Sequence, residues 1–165
     1  MLRMKYLVFA TLIIIANSFD VKFEDCGSPQ GHIDSVNIVP CSAFPCELKR
    51  NTSVSISVNF TSHVNTTKVK TIVHGIIPGN FMHILLSLIN KDGEEGVRFL
   101  GVNENACANN NVDHCNIRSG ESIHYTNSIF IDPIYPLLRL KIKWEIKDDM
   151  DRDMVCILVG GEIVN

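Results

Sequence analysis

Leu138-Arg139-Leu140-Lys141-Ile142-Lys143-Trp144-Glu145-Ile146-Lys147 alternates apolar and charged side chains without a break. A period of two puts Leu138, Leu140, Ile142, Trp144 and Ile146 on one face of an extended chain and the charges on the other, which is a half-buried β-strand. Wound at 3.6 residues per turn, the same apolar residues would scatter around the whole circumference. Val54, Ile56, Val58 and Phe60 repeat the pattern against Ser53, Ser55, Ser57, Asn59 and Thr61. Further strands are expected at 33–39, 69–77, 122–131 and 154–164. Gly-, Pro- and Asn-rich turns at 27–31, 40–45, 108–113 and 132–136 punctuate them. No segment of helical length carries an amphipathic pattern. Several strands with one wet face each bury their apolar faces by packing as two antiparallel sheets, so the fold expected is an all-β sandwich. One stretch, Phe81-Met82-His83-Ile84-Leu85-Leu86-Ser87-Leu88-Ile89, is apolar throughout and fits a buried strand or a short helix equally well.

The first residues read as a targeting segment. Arg3 and Lys5 precede the apolar run from Tyr6 to Ile15, and Ala16-Asn17-Ser18 supplies small residues for cleavage. The run is too short to span a bilayer as a mature helix. Residues 1–18 are therefore expected to be a signal peptide and residues 19–165 a single secreted domain, with the size to bury a full core.

Six cysteines follow that leader: Cys26, Cys41, Cys46, Cys107, Cys115 and Cys156. In an oxidising compartment they read as disulfides, for which six cysteines allow fifteen pairings. Their nested spacing points to two short clasps, Cys41–Cys46 and Cys107–Cys115, with Cys26–Cys156 closing nearly the whole mature chain. A loop that long is worth roughly 4–5 kcal/mol in the chain-entropy model. The rival reading is a zinc site with His114 beside Cys115, but zinc favours tighter cysteine pairs and reducing compartments.

The 18 acidic residues outnumber 15 basic ones, and Arg3 and Lys5 belong to the leader. No polybasic block remains to recruit nucleic acid or an anionic membrane surface. Three sequons, at Asn51, Asn59 and Asn65, crowd into one stretch and point to a glycosylated surface.

Catalytic patterns are missing. The six histidines, at 32, 63, 74, 83, 114 and 124, form no i, i+4 metal pair. His74, inside an apolar strand, reads as a hydrogen-bonded structural residue. No G-x-S-x-G elbow exposes a serine, and Gly160-Gly161 opens no helix that would cradle a phosphate. Asp149, Asp151 and Asp153 mimic the start of a calcium loop, yet Met154 and Gly160 stand where that loop needs Gly and Glu. The acidic run is expected to be a solvated hairpin turn. No enzyme, no cofactor and no metal are expected.

Five blocks together resemble the ML-domain lipid-recognition family: Asp25-Cys26-Gly27-Ser28, Pro40-Cys41 with Pro45-Cys46, Val73-His74-Gly75, Tyr135-Pro136, and Trp144-Glu145-Ile146-Lys147-Asp148-Asp149 leading to Cys156. The six cysteines fall in the family's register, and the likeness runs from Val21 to Val164. The resemblance implies an immunoglobulin-like two-sheet antiparallel β-sandwich of about seven or eight strands, with an apolar cavity between the sheets that takes a lipid without covalent chemistry. It implies the nested disulfides proposed above, and Phe99, Ile131, Tyr135 and Pro136 as lining of the lipid pocket.

The function this implies is a monomeric carrier of sterol, secreted or resident in the endosome–lysosome lumen, that exchanges its ligand with membranes and with a membrane sterol transporter or receptor. Recognition of other lipids outside the cell (fatty acids, semiochemicals, microbial lipid) is the alternative within the same fold. The chain departs from the family pattern in being longer between Gly75 and Val97. That addition reads either as a lid or extended hairpin at the pocket wall, or as a gene-model error.

Overall fold

The alternating stretch forms a strand, Arg139–Lys147, in the middle of the larger of two sheets. The computed structural model describes residues 21–78, 96–99 and 101–165. The leader and the apolar run at 81–89 lie outside those residues, as does most of the added segment. Among the described residues there is no helix and nine strands are found: β1 (Glu24–Asp25), β2 (Gly31–Val39), β3 (Cys46–Lys49), β4 (Ser53–Ser62), β5 (Lys70–Ile76), β6 (Val97–Arg98), β7 (Ser122–Phe130), β8 (Arg139–Lys147) and β9 (Asp153–Val164).

The smaller sheet has the order β2-β4-β7, all antiparallel. In the larger one β8 lies between β9 and β5, and β6 extends the β5 edge. The other edge of β9 is shared by two short strands. β1 pairs antiparallel, with Glu24 opposite Leu158, and β3 runs parallel, with Cys46 opposite Gly161. That parallel ladder is the one exception, among the described residues, to the antiparallel pairing expected. It arises because the chain leaves β2 in one sheet and crosses to the other before it re-enters alongside β9. The Cys41–Cys46 disulfide closes the crossing. Cys26–Cys156 and Cys107–Cys115 complete the nested set, and no described cysteine is free.

The core is what the period of two dictates. Val54, Ile56, Val58 and Phe60 of β4 face Leu140, Ile142, Trp144 and Ile146 of β8, all buried. One strand departs from the one-wet-face rule. In β5 every residue from Thr71 to Gly75 is buried. Its outward Ile72 and His74 sit opposite Glu145 and Lys143 of β8, where lysine stems flank them.

A buried tyrosine joins the two sheets by hydrogen bonds. Tyr125 of β7 is fully buried, and its hydroxyl meets Thr71 Oγ1 at 2.9 Å. It also accepts the Trp144 indole N–H at 3.1 Å and the Asn127 amide at 3.0 Å. The Tyr125 and Trp144 rings meet edge to face, 6.3 Å between centroids. Burial pushes the Tyr125 hydroxyl pKa up against those hydrogen bonds, so it stays neutral. Tyr125→Phe keeps the ring but leaves the buried indole N–H without its acceptor, and should cost about 1–3 kcal/mol in denaturant unfolding. A midpoint equal to that of the parent would show that the hydroxyl does not tie the sheets.

Candidate functional site

Three strand ends of the larger sheet meet at the edge farthest from Tyr125. Gly75 closes β5 opposite Ile142, Leu140 opens β8 opposite Gly161, and β9 ends near Ile163. β6 and the 132–138 loop fold over this corner. Between them lies a cavity of about 230 Å³ lined by Gly75, Ile77, Val97, Arg98, Phe99, Tyr135, Pro136, Leu138, Leu140 and Ile163, with almost no polar atom on its walls.

Glycine makes room for it. A Cβ on Gly75 would stand 2.9 Å from Leu140 Cδ1 and 3.2 Å from Phe99 Cε2, so any larger residue there would push into both lining side chains. A Cβ on Gly161 would stand 3.0 Å from Leu48 Cδ1 and 3.1 Å from Ile142 Cδ1. A separate tight crevice of about 20 Å³ lies between the sheets near Trp144, lined by residues of both, among them Ile38, Val54, Ile56 and Val159.

Phe99 is held by its amide, which donates to Val73 O at 3.0 Å, and its ring meets the Tyr135 ring edge to face at 5.6 Å. Tyr135 is brought there by a turn whose geometry Asp132 sets. The Asp132 carbonyl accepts from the Tyr135 amide at 3.1 Å, and its carboxylate accepts from the Ile134 amide at 2.9 Å. Of the residues expected at a pocket, the structure thus brings together Phe99, Tyr135 and Pro136. Ile131 is not among the lining. It is fully buried, exchanging backbone hydrogen bonds with Asn51 and Thr52, and anchors the start of the loop that carries Tyr135. Pro136 lines the cavity, while Asp132 shapes the turn. Val97, Leu138, Leu140 and Ile163 were not singled out in the sequence, although the inward phase of the quoted strand carries Leu138 and Leu140.

The remaining sequence candidates lie elsewhere. His114 turns to Glu121, 3.1 Å away, while Cys115 is in its disulfide. Among the described residues no three His, Cys, Asp or Glu side chains gather as a metal site. The acidic run is the β8–β9 hairpin. Asp148 accepts the Met150 and Arg152 amides and the Arg152 guanidinium, and those contacts overcome burial and lower its pKa. Asn51, Asn59 and Asn65 are all exposed. Asn59 stands on the outer face of β4, where its side chain bonds Ser35 at 2.8 Å and His124 at 2.7 Å.

On the reverse side of the cavity strands, Glu145 is a buried carboxylate beside two lysines and a histidine. His74 Nδ1 lies 3.7 Å away, Lys143 Nζ 3.2 Å and Lys147 Nζ 3.0 Å. Lys147 bonds Asp153 as well, at 2.7 Å. Burial alone would raise the Glu145 pKa, but His74, Lys147 and Lys143 together bring it down to about 2. Because the folded-state value lies below the ordinary 4.5, ionised Glu145 stabilises the fold above that pH, and the contribution is lost as pH falls from 4.5 towards 2.

Comparison with known proteins places this geometry in a context. The profile of the ML domain matches residues 20–162. The chain is 31% identical to NPC intracellular cholesterol transporter 2 of Bos taurus over 94% of its own length and 93% of that protein's. It is 32% identical to NPC intracellular cholesterol transporter 2 homolog a of Drosophila melanogaster over 99% of both. The crystal structure of a Niemann-Pick type C2 protein from Japanese carpenter ant superposes with a TM-score of 0.71, covering 87% of this chain and 99% of that one at 23% identity. That likeness is one of fold, and it is the immunoglobulin-like β-sandwich expected.

Glu145→Gln should lower stability at neutral pH by no more than about 3 kcal/mol. The deficit should shrink as unfolding is followed from pH 5 down to 2. A gap that does not change with pH would mean that the carboxylate's charge is not what the cluster uses.

Proposed function

Because the chain belongs to the ML-domain family, we propose that it is a lipid carrier whose ligand sits in the cavity between Phe99, Tyr135, Leu140 and Ile163. The observation that carries this reading is an almost wholly apolar cavity at the edge of a folded sandwich, with aromatic rings at its rim. Apolar walls left without a ligand forfeit packing and face water. Each 100 Å² of ligand surface removed from water there contributes about 2.5 kcal/mol, enough for tight binding with few polar contacts. The cargo class favoured is sterol, because the relatives about a third identical over their whole length are named as cholesterol transporters.

The ligand slides in tail-first and leaves its polar end at the Tyr135–Pro136 rim, since the walls offer nothing for a hydroxyl to bond. A sterol molecule is larger than the present space. Entry then requires the cavity to widen inward, between the apolar side chains that line the inter-sheet crevice. The carrier is proposed to work in the extracellular or endosome–lysosome lumen and to exchange cargo with membranes or a membrane receptor. Three disulfides and the leader support that address. Glu145 supports it too, because a carboxyl that titrates near 2 keeps its ion cluster intact in an acidic lumen. Glycans at Asn51, Asn59 and Asn65 belong to the same reading.

Two variants test the site. Gly75→Val fills the cavity from β5 without breaking strand propensity, and should weaken binding of a fluorescent sterol by about tenfold or more, equivalent to 1.4 kcal/mol. Phe99→Ala should weaken binding as well. It should cost less stability than the 3–5 kcal/mol typical of a close-packed phenylalanine, about half or less, because the ring borders existing space. Native mass spectrometry of protein purified from its source identifies the cargo. A bound sterol supports the reading, and a bound fatty acid moves it to the recognition of other lipids. Unchanged sterol binding in both variants would remove the ligand from this cavity.

A further inference from the structure

Arg50 follows β3 and lies outside the cavity lining, yet its side chain reaches the loop that forms the rim. The guanidinium Nη1 donates to the carbonyl of Pro133 at 3.1 Å and to that of Tyr135 at 3.4 Å. Nη2 donates to Asn165 Oδ1, and the Arg50 amide donates to Val164 O at 2.9 Å. One half-buried arginine therefore ties the β3–β4 turn, the end of β9 and the rim loop together.

The loop needs such a tie. Pro133 and Pro136 have no N–H to donate, so donors from elsewhere must hold this segment through its carbonyls. Asp132 orders the first turn from within, and at the far end Leu138 O accepts the Ile163 amide. Between those anchors Ile134 and Leu137 stand exposed, at 81% and 52%, so the Tyr135 ring against Phe99 carries most of the side-chain packing in the middle of the loop. A planar, permanently charged fork is well suited to hold two neighbouring carbonyls at once.

We infer that Arg50 is a positioning residue that latches the Tyr135–Pro136 rim and thereby sets how fast an apolar ligand enters and leaves the cavity. The inference rests on the carrier reading above and adds a rate-controlling residue to it. Arg50 is absent from the cavity walls, so loosening it changes the cost of opening the rim for the empty and the filled protein alike. Entry and release then speed up together while affinity stays nearly constant.

The test uses Arg50→Gln, with Arg50→Lys as the conservative variant, in the full mature chain. Amide hydrogen exchange of the lipid-free protein reads the loop directly. Exchange at 134, 135, 137 and 138 should rise by about tenfold in Arg50→Gln, with the amides of β8 unchanged and partial recovery in Arg50→Lys. Stopped-flow with a fluorescent sterol should show association and release accelerated by a similar factor, with the dissociation constant changed by less than about threefold. A residue that only supported the fold would lower the melting temperature and raise exchange throughout β8 and β9, which would overturn the latch. So would unchanged loop exchange, or faster loop exchange with unaltered ligand rates. If the parent protein itself takes up neither sterol nor fatty acid, the carrier reading fails at the parent, before any variant is compared.

Discussion

A phenol oxygen sealed between two β-sheets sets the geometry of the molecule. The Tyr125 hydroxyl serves Thr71, Trp144 and Asn127 at once, so β7 of the small sheet is tied to β5 and β8 of the large one. Breaking that tie would leave a buried indole N–H and a buried threonine hydroxyl without their partner, and each such orphan costs more than an ordinary hydrogen bond contributes. The sheets are thus held in register here by directional bonds. Contact between the inward apolar side chains of the two sheets is non-directional, and it can be rearranged at lower cost.

The cavity occupies the region where that directional hold is absent. From Tyr125 towards the far edge the inward residues of β8 run Trp144, Ile142, Leu140, and those of β9 run Ile157, Val159, Gly161, Ile163. The glycine at position 161 and Gly75 on β5 leave the space that a larger side chain would fill. Phe99 and Tyr135 close the outer side with an edge-to-face contact instead of interdigitated packing. Three disulfides and the polar tie offset what the hollow corner gives up in dispersion contact. A rigid frame with one soft corner is a physical basis for reversible uptake of an apolar ligand.

Charge is distributed to suit. The outer face of the small sheet presents Ser55, Ser57, Asn59, Thr61, Thr126 and Ser128, and cross-strand side-chain bonds run from Ser55 to Ser128 at 2.7 Å and from Asn59 to Ser35 and His124. The outer face of the large sheet carries Arg139, Lys141, Lys143 and Lys147, each beside a carboxylate. Exposed pairs such as Lys141–Glu24 are worth little, whereas Glu145 is buried, and removing its charge leaves cations facing one another.

The sequence by itself determined the strands, the side of each that is buried and the disulfide-bonded character of the chain. Alternation along 138–147 and 54–60 leaves no other way to hide Trp144 or Phe60, and the cysteine spacing favours the nested set. It also led to the expectation that the 148–153 run is a hairpin turn, which is where Asp148 is found accepting the Met150 and Arg152 amides. Tertiary structure decided the rest, because a period of two says that a side chain points inward and not what it meets there. Val58 meets a packed core, Leu140 meets open space, and the two look the same in the chain. Ile131, just past the end of β7, has its backbone paired with Asn51 and Thr52, which nothing in the alternation shows. The parallel ladder of β3 depends on where the chain re-enters the larger sheet. Arg50 carries no local signal, since the carbonyls it holds lie more than eighty residues along the chain and come within reach only when the β3–β4 turn and the 132–138 loop close over the same corner.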